Sequence, residues 1–407
     1  MLIKRPVYIE RLFAFKDKQL IKILTGIRRC GKSTLFELYQ NELINQGISA
    51  EQIHNINLED PAYFELMDWH VLYDHINNRL LADKMNYVFI DEIQNVKDFQ
   101  KAADGLFIKK NVDLYLTGSN SKIQSGEWAT LLSGRYVEIQ IFPLSFKEYF
   151  SVYQKPAVND NIFADYLAYG SFPQIPQLME GISDSNTKKM LSVQYLEGIY
   201  NTVVLKDVAA NRKITEIGRL EKVAKFIASA IGTEISIKKI SDTMTSDGVK
   251  ILPLTVENYL DGLRAAYILY RVDRYDVKGK KLLKTLNKYY LADIGLRRLL
   301  LGDKPEDSGH VLENIVYLEL LRRGYRVYTG KVAEHEIDFI AEGINGTEYY
   351  QAAQTVRSGE ILARELAPLN MVRDHNPKFL LTRDYEPAVS HNGIKQLNVL
   401  EWLLGTA

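Results

Sequence analysis

The chain of 407 residues contains one cysteine, so an internal disulfide is impossible and a reducing compartment suits it. It has no apolar run long enough to span a membrane. The opening residues, Met1-Leu2-Ile3-Lys4-Arg5-Pro6, lack an apolar stretch behind the basic pair and do not read as a signal peptide. Repeats and low-complexity tracts are missing too. So is net charge, with 51 basic residues against 51 acidic ones, which leaves nucleic acid only a local basic patch to bind. The expectation is a cytoplasmic protein with no membrane partner. Apolar residues make up 46% of the chain and charged ones 25%, the balance of a soluble globular protein, and the length calls for two or three domains.

The most informative stretch is Gly26-Ile27-Arg28-Arg29-Cys30-Gly31-Lys32-Ser33-Thr34. It fits the phosphate-loop pattern of Gly, four residues, then Gly-Lys-Ser/Thr. Residues 21–25 read as a strand entering the loop and residues 35–39 as a helix leaving it. Gly26 and Gly31 let the backbone turn its N–H groups onto phosphate oxygens. Lys32 can reach the β- and γ-phosphates and Ser33 can offer its hydroxyl to Mg²⁺. The following helix adds partial positive charge at its N-terminus. All nine residues are expected to bind nucleotide. Arg28 and Arg29 are rival phosphate ligands, and Cys30 reads as a small tolerated residue.

Tyr87-Val88-Phe89-Ile90-Asp91-Glu92 is an apolar run ending in two carboxylates, as a buried parallel strand delivers to its C-terminal edge. Asp91 is expected in the Mg²⁺ shell, and Glu92 is expected to orient and deprotonate water. Residues 113–120 repeat the scheme with Thr117, Ser119 and Asn120 as candidate γ-phosphate or water contacts, Asn120 joining the catalytic set. Arg135, before the strand 137–141, could neutralise transition-state charge in its own chain or a neighbour's. Residues 7–19 and 66–81 read as helices and 53–58 as a strand.

Residues 161–215 read as helical and rich in aromatics, a lid or linker packed on the sheet. Helices at 220–231, 236–244 and 254–266, then strands at 268–277 and 281–291, follow the order of a winged helix-turn-helix. Lys278, Lys280, Lys281, Lys284 and Lys288 make the wing basic, with Lys278, Lys280 and Lys281 the candidate nucleic-acid contacts. The third helix carries Glu257 and Asp261 with Arg264 as its only cation, so a protein contact stays open beside DNA. Residues 292–306 read as a linker. In the last α/β segment Glu313 and Asp338 stand where a metal-dependent nuclease holds Mg²⁺, but Gln351 replaces an acid and Ala353 a lysine. An amide is a weak Mg²⁺ ligand and alanine has no donor, so nuclease activity is not expected.

Together these stretches resemble bacterial and archaeal AAA-type ATP-binding proteins, which join an ATPase domain to a C-terminal domain of unknown function. That C-terminal part is similar to a degenerate restriction-endonuclease fold, and the group is related to archaeal-type ATPases with helix-turn-helix modules. The matching segments are residues 26–33, 87–92, 116–120, 133–135, 169–173, 290–296, 313–320, 336–341, 350–354, 378–382 and 402–404. The resemblance implies ATP over GTP. The expected fold is α/β. Residues 1–150 form a P-loop AAA-type domain, a parallel sheet with helices on both faces. A helical lid or linker spans 151–217, a winged-helix-like domain 218–291, and a small restriction-endonuclease-like α/β domain 292–407. The expected function is a Mg²⁺-dependent ATPase binding ATP and ADP, coupling hydrolysis to domain rearrangement on double-stranded DNA, a protein partner or a second copy. The alternative is a nucleotide-gated DNA-binding regulator with little hydrolysis.

Overall fold

The computed structural model describes residues 2–118, 132, 134–153, 160–279, 281–302, 308–385 and 389–406. Its backbone contacts divide into two compact units. One comprises Met1–Pro143 with Lys206–Asn211, the other Leu144–Leu205 with Arg212–Ala407.

In the first unit, strands β1 (Ile21–Thr25), β2 (Ile53–Asn57), β3 (Asn86–Asp91), β4 (Val112–Thr117) and β5 (Tyr136–Gln140) form one sheet in the order β2-β3-β4-β1-β5. Every pairing is parallel. Helices α1 (Pro6–Ala14), α2 (Lys32–Asn45), α3 (Trp69–Asn77) and α4 (Phe99–Phe107) cover it. The three central strands are buried along their whole length, which explains their unbroken apolar runs. Ile21, Ile23, Val88, Ile90, Leu114 and Leu116 share one face. Leu72 and Ile76 of α3 and Ala102, Ala103 and Leu106 of α4 complete the core there. The other face is aromatic. Phe89 stacks on Tyr115 with ring centroids 4.7 Å apart, and Phe36 of α2 meets Phe89 edge-on at 5.1 Å. Phe13 of α1 meets Tyr39 of α2 at 4.9 Å. This is the expected P-loop α/β fold, and α4 adds a helix to the expected elements.

That aromatic face also buries an ion pair. Lys22, in the middle of β1, donates to Asp113 of β4, and both side chains are sealed from water. Asp113 also accepts from the backbone N–H of Asp17 and the hydroxyl of Tyr115, each at 2.8 Å. Burial drives Lys22 down and Asp113 up, and each opposes the other's shift. The pair fixes β1 against β4, the two strands whose ends carry the phosphate loop and Thr117.

The second unit opens with helices Phe146–Ser151, Asp160–Tyr169, Gln174–Met179 and Ser185–Asn201. By its backbone contacts, helix Phe146–Ser151 lies in this unit. The 144–205 segment, which takes in most of the expected helical lid or linker, belongs to this unit by the same contacts. Gly170, at φ +91°, brings Ser171 onto Asp293, whose Oδ2 accepts from the Ser171 N–H at 2.6 Å and its hydroxyl at 2.5 Å. A Cβ on Gly170 would lie 2.7 Å from Asp293 Oδ1, so only glycine permits the approach. Asp293 also caps helix Ile294–Leu301 through the Leu296 N–H at 3.1 Å. Residues 294–301 are therefore an ordered helix and not the expected linker.

Helices Ile217–Ser229, Ile237–Ser246 and Pro253–Ala265 precede hairpin strands β6 (Leu269–Asp276) and β7 (Lys281–Leu291), in the order expected of a winged helix. The hairpin is not a free wing. Arg274, Tyr275 and Asp276 of β6 pair in parallel with Thr329, Gly330 and Lys331 of β8 (Arg326–Val332). It thereby joins β9 (His335–Gly343), β10 (Gly346–Ala353), β11 (Lys378–Thr382), β12 (Val389–His391) and β13 (Ile394–Asn398). They form one eight-stranded sheet in the order β12-β13-β11-β10-β9-β8-β6-β7. Residues 218–291 and 292–407, expected as separate domains, share this sheet.

Replacing Lys22 by methionine keeps the stem and leaves Asp113 buried without its cation, so unfolding in urea should lose about 3–5 kcal/mol. The double variant Lys22→Met/Asp113→Asn should recover much of that loss.

Candidate functional site

The loop between β1 and α2 is shaped by three positive-φ residues, Gly26 at +139°, Arg29 at +64° and Gly31 at +99°. A Cβ on Gly26 would stand 2.1 Å from the carbonyl oxygen of Ile141, so the loop closes against the end of β5 only because no side chain is there. Ile27 and Cys30 are wholly buried. Burial pushes the Cys30 thiol up, which makes it an inert packing residue. Beneath the loop Arg5, 4% exposed, donates to the carbonyls of Cys30 at 3.0 Å and Phe142 at 2.9 Å. Nothing in the sequence pattern marks Arg5, which acts across 25 and 137 positions.

Lys32 folds back over the loop, its Nζ 3.0 Å from the Gly26 carbonyl oxygen and 3.4 Å from that of Ile27. Thr34 is half-buried in the first turn of α2, and Ser33 beside it is exposed. The Asp91 carboxylate, at the end of β3, accepts a hydrogen bond from the hydroxyl of Thr117. Burial raises the pKa of Asp91 against the opposing pull of the Ser33 and Thr117 hydroxyls. Glu92 follows in the left-handed region at φ +58°, an uncommon place for a side chain that large. That turn aims the Glu92 N–H at Thr117 Oγ1, 2.8 Å away. One hydroxyl therefore ties both carboxylate residues to β4. The Glu92 carboxylate also accepts from the Gln94 amide.

The two loop arginines diverge. Arg29 is exposed. Arg28 turns to Asp207, with Nε 2.8 and 3.1 Å from its two carboxylate oxygens, and its NH1 lies 3.6 Å from Glu59. Burial works against this charge, but Asp207, then Glu92 and Glu59, hold the guanidinium above its ordinary pKa. Asp207 lies 179 positions from Arg28 and carries no sequence signal.

Arg135 is placed elsewhere. Its carbonyl accepts from the N–H of Ile21, the first residue of β1, so it stands at the N-terminal edge of the sheet. The phosphate loop leaves the opposite end, a five-residue strand or about 16 Å away. The side chain pairs with Asp104 at 3.1 Å and lies over Phe107 of α4. The structure thus brings together Lys32, Ser33, Asp91 and Glu92 and separates Arg135 from them within one chain. Ser119, Asn120 and Ser133 lie outside the described residues.

In the second unit Lys278 and Lys281 are exposed near the hairpin tip, and Lys280 lies outside the described residues. Lys288, expected on a basic wing, is buried instead. It pairs with Glu313 at 3.2 Å and with Glu336. Burial opposes its charge, yet Glu313, Asp338 and Glu336 hold its pKa above the ordinary lysine value. Arg264, the one cation expected on the third helix, pairs with Asp261 at 2.9 Å. Glu313, Asp338, Gln351 and Ala353 do line one cavity of about 480 Å³. Glu313 there is held by Lys288 and by the Tyr290 hydroxyl at 3.0 Å, and the Gln351 amide donates to Glu365. Among the described residues no group of three His, Cys, Asp or Glu side chains is set to hold a metal ion. None of the described helices is long and apolar enough to cross a membrane.

The chain is similar to several known proteins. Residues 18–150 match the model of an AAA domain, and residues 160–307 match that of a domain of unknown function. An uncharacterized protein of Haemophilus influenzae is 37% identical over 407 residues, covering 99% of each chain. One of Methanocaldococcus jannaschii is 29% identical over 390 residues, 89% of this chain and 82% of the relative. Among solved structures, a Walker-type ATPase of Pyrococcus abyssi aligns with 73% of this chain and 95% of its own, at a TM-score of 0.51 and 15% identity.

Replacing Thr117 by valine removes the donor to Asp91 and the acceptor for the Glu92 N–H at constant volume. Chemical unfolding should register a loss of about 1–3 kcal/mol. Thr117→Ser, which keeps the hydroxyl, should retain most of the stability.

Proposed function

Since the chain belongs to the AAA-type ATPases, we propose that it binds Mg·ATP on the 26–34 loop and hydrolyses it there. The observation that carries this reading is the meeting of Lys32, Ser33, Asp91, Glu92 and Thr117 at the C-terminal edge of one parallel sheet. Ligands of open α/β sheets bind at that edge.

Each side chain has a role in this reading. The N–H groups from Gly26 to Thr34, with the N-terminus of α2, receive phosphate oxygens. Lys32 exchanges the carbonyls of Gly26 and Ile27 for the β- and γ-phosphates, trading weak dipoles for full charges. Ser33 and Asp91 supply hard oxygen ligands, a donor set that fits Mg²⁺, and the bound ion neutralises phosphate charge. Glu92 takes the proton of the attacking water, while Thr117 holds the Asp91 carboxylate and the Glu92 backbone in register. Arg135, at the far edge of its own sheet, serves the site of a neighbouring copy. Hydrolysis is coupled to rearrangement between the two units, on DNA or a protein partner.

The exposed pair Lys278 and Lys281 favours a second reading, a nucleotide-gated grip on duplex DNA with little hydrolysis. With Lys288 buried among acids and Arg264 paired, that grip rests on the hairpin tip.

Phosphate release from Mg·ATP should vanish in Lys32→Ala. In Glu92→Gln nucleotide binding should persist while turnover falls about 10²–10⁴-fold. Turnover in Glu92→Gln equal to the parent would remove Glu92 from the role of base. If the hairpin grips duplex DNA, Lys278→Ala/Lys281→Ala should weaken binding and reduce the slope of log K against log salt by about 2. No binding even at low salt would eliminate the DNA reading.

A further inference from the structure

We infer that the ion pair between Arg28 and Asp207 is a nucleotide-sensitive latch on the segment at residues 202–211. The inference rests on the phosphate loop binding nucleotide, and it adds a regulation of that site. Arg28 lies inside the loop, four residues before Lys32, yet its guanidinium is committed to a carboxylate far along the chain. Asp207 is 1% exposed, so its charge depends on partners inside the protein. A triphosphate on the loop offers Arg28 a second anion of higher charge, one whose geometry suits a guanidinium fork. Asp207 and the phosphates thus compete for one cation. Whenever Arg28 turns to phosphate, Asp207 loses that pairing, and the forces that hold its segment in place change.

The segment is built to shift. Thr202–Ala209 is a π-helix of eight residues, a rare form that proteins use mostly as single turns, often at functional sites. The side-chain amide of Asn211 caps it by donating to the Asp207 carbonyl at 2.6 Å. The boundary between the two compact units falls inside this same helix, between Leu205 and Lys206. Occupancy of the loop is therefore reported on the stretch of backbone that connects the units. Glu59 and Glu92 also act on Arg28, so the movement changes the field around the carboxylate proposed as the base. Asp207 is in this sense a positioning residue that acts through Arg28.

The test uses the full chain, a non-hydrolysable Mg·ATP analogue and hydrogen exchange at residues 202–211. In the parent, exchange there should rise when the analogue saturates the loop. In Asp207→Asn, which removes the competing charge, the analogue should bind about tenfold tighter. Exchange at 202–211 should then be fast with or without nucleotide. Arg28→Lys, which cannot form the fork, should weaken analogue binding and reduce the exchange response. Flat exchange in the parent with the analogue bound overturns the latch, and so does unchanged or weaker binding by Asp207→Asn. If that variant fails to fold, the parent's exchange decides alone. A parent that binds no nucleotide refutes the ATPase reading itself, and the latch with it.

Discussion

A charged side chain withdrawn from water must find an opposite charge or a set of dipoles, and much of this protein is arranged to meet that demand. Lys22 finds Asp113 between two central strands, and Arg5 finds two backbone carbonyls beneath the loop. Lys32 rests on the carbonyls of the loop it belongs to. Lys288 lies among three acids of the second unit. These pairings differ in what they permit. Lys22 and Asp113 are both sealed, so removing either partner costs about 3–5 kcal/mol of stability. Lys32 hydrogen-bonds to neutral carbonyl dipoles, which a full negative charge displaces at little cost. The sealed pair anchors the strands, and the loosely held lysine stays available for chemistry.

Thr117 shows how the parallel sheet turns anchoring into geometry. Because β1, β3 and β4 run side by side in one direction, their C-terminal ends arrive together. The phosphate loop, the carboxylate pair and the threonine meet there without any long-range loop to position them. A strained backbone at Glu92 is tolerated because the Thr117 hydroxyl catches its N–H. The order of the strands thus does the work that a dedicated scaffold would otherwise do.

The parts legible in the sequence were those whose chemistry is local. Gly26, Gly31, Lys32 and Ser33 announce themselves by spacing, and Asp91 and Glu92 by ending an apolar run. Thr117 was read as a phosphate contact, although its observed partners are Asp91 and Glu92. The pairing of Arg28 with Asp207 spans 179 positions, and no local pattern can disclose it. Lys288 read as a basic wing because the acids that surround it, Glu313 and Glu336, lie on other elements. Asp293 reads as linker in the sequence because capping by one aspartate leaves little composition to see, while its bonds to Ser171 are tertiary. Helix α4 could have been found, since Phe99, Ala102, Ala103 and Leu106 keep helical spacing.

The return of Lys206–Asn211 to the first unit bears on how the chain is made. All five strands of that unit are complete once Gln140 has been synthesised, so its sheet can form while the ribosome is still adding the helices of the second unit. Arg28 is then already in the loop, and Asp207 does not yet exist. During this interval the loop folds with its arginine facing water or cellular anions. Cutting the chain at Pro143, where the first run of that unit ends, would make that transient state permanent. Such a fragment keeps every strand of the sheet but is a different molecule at its phosphate loop.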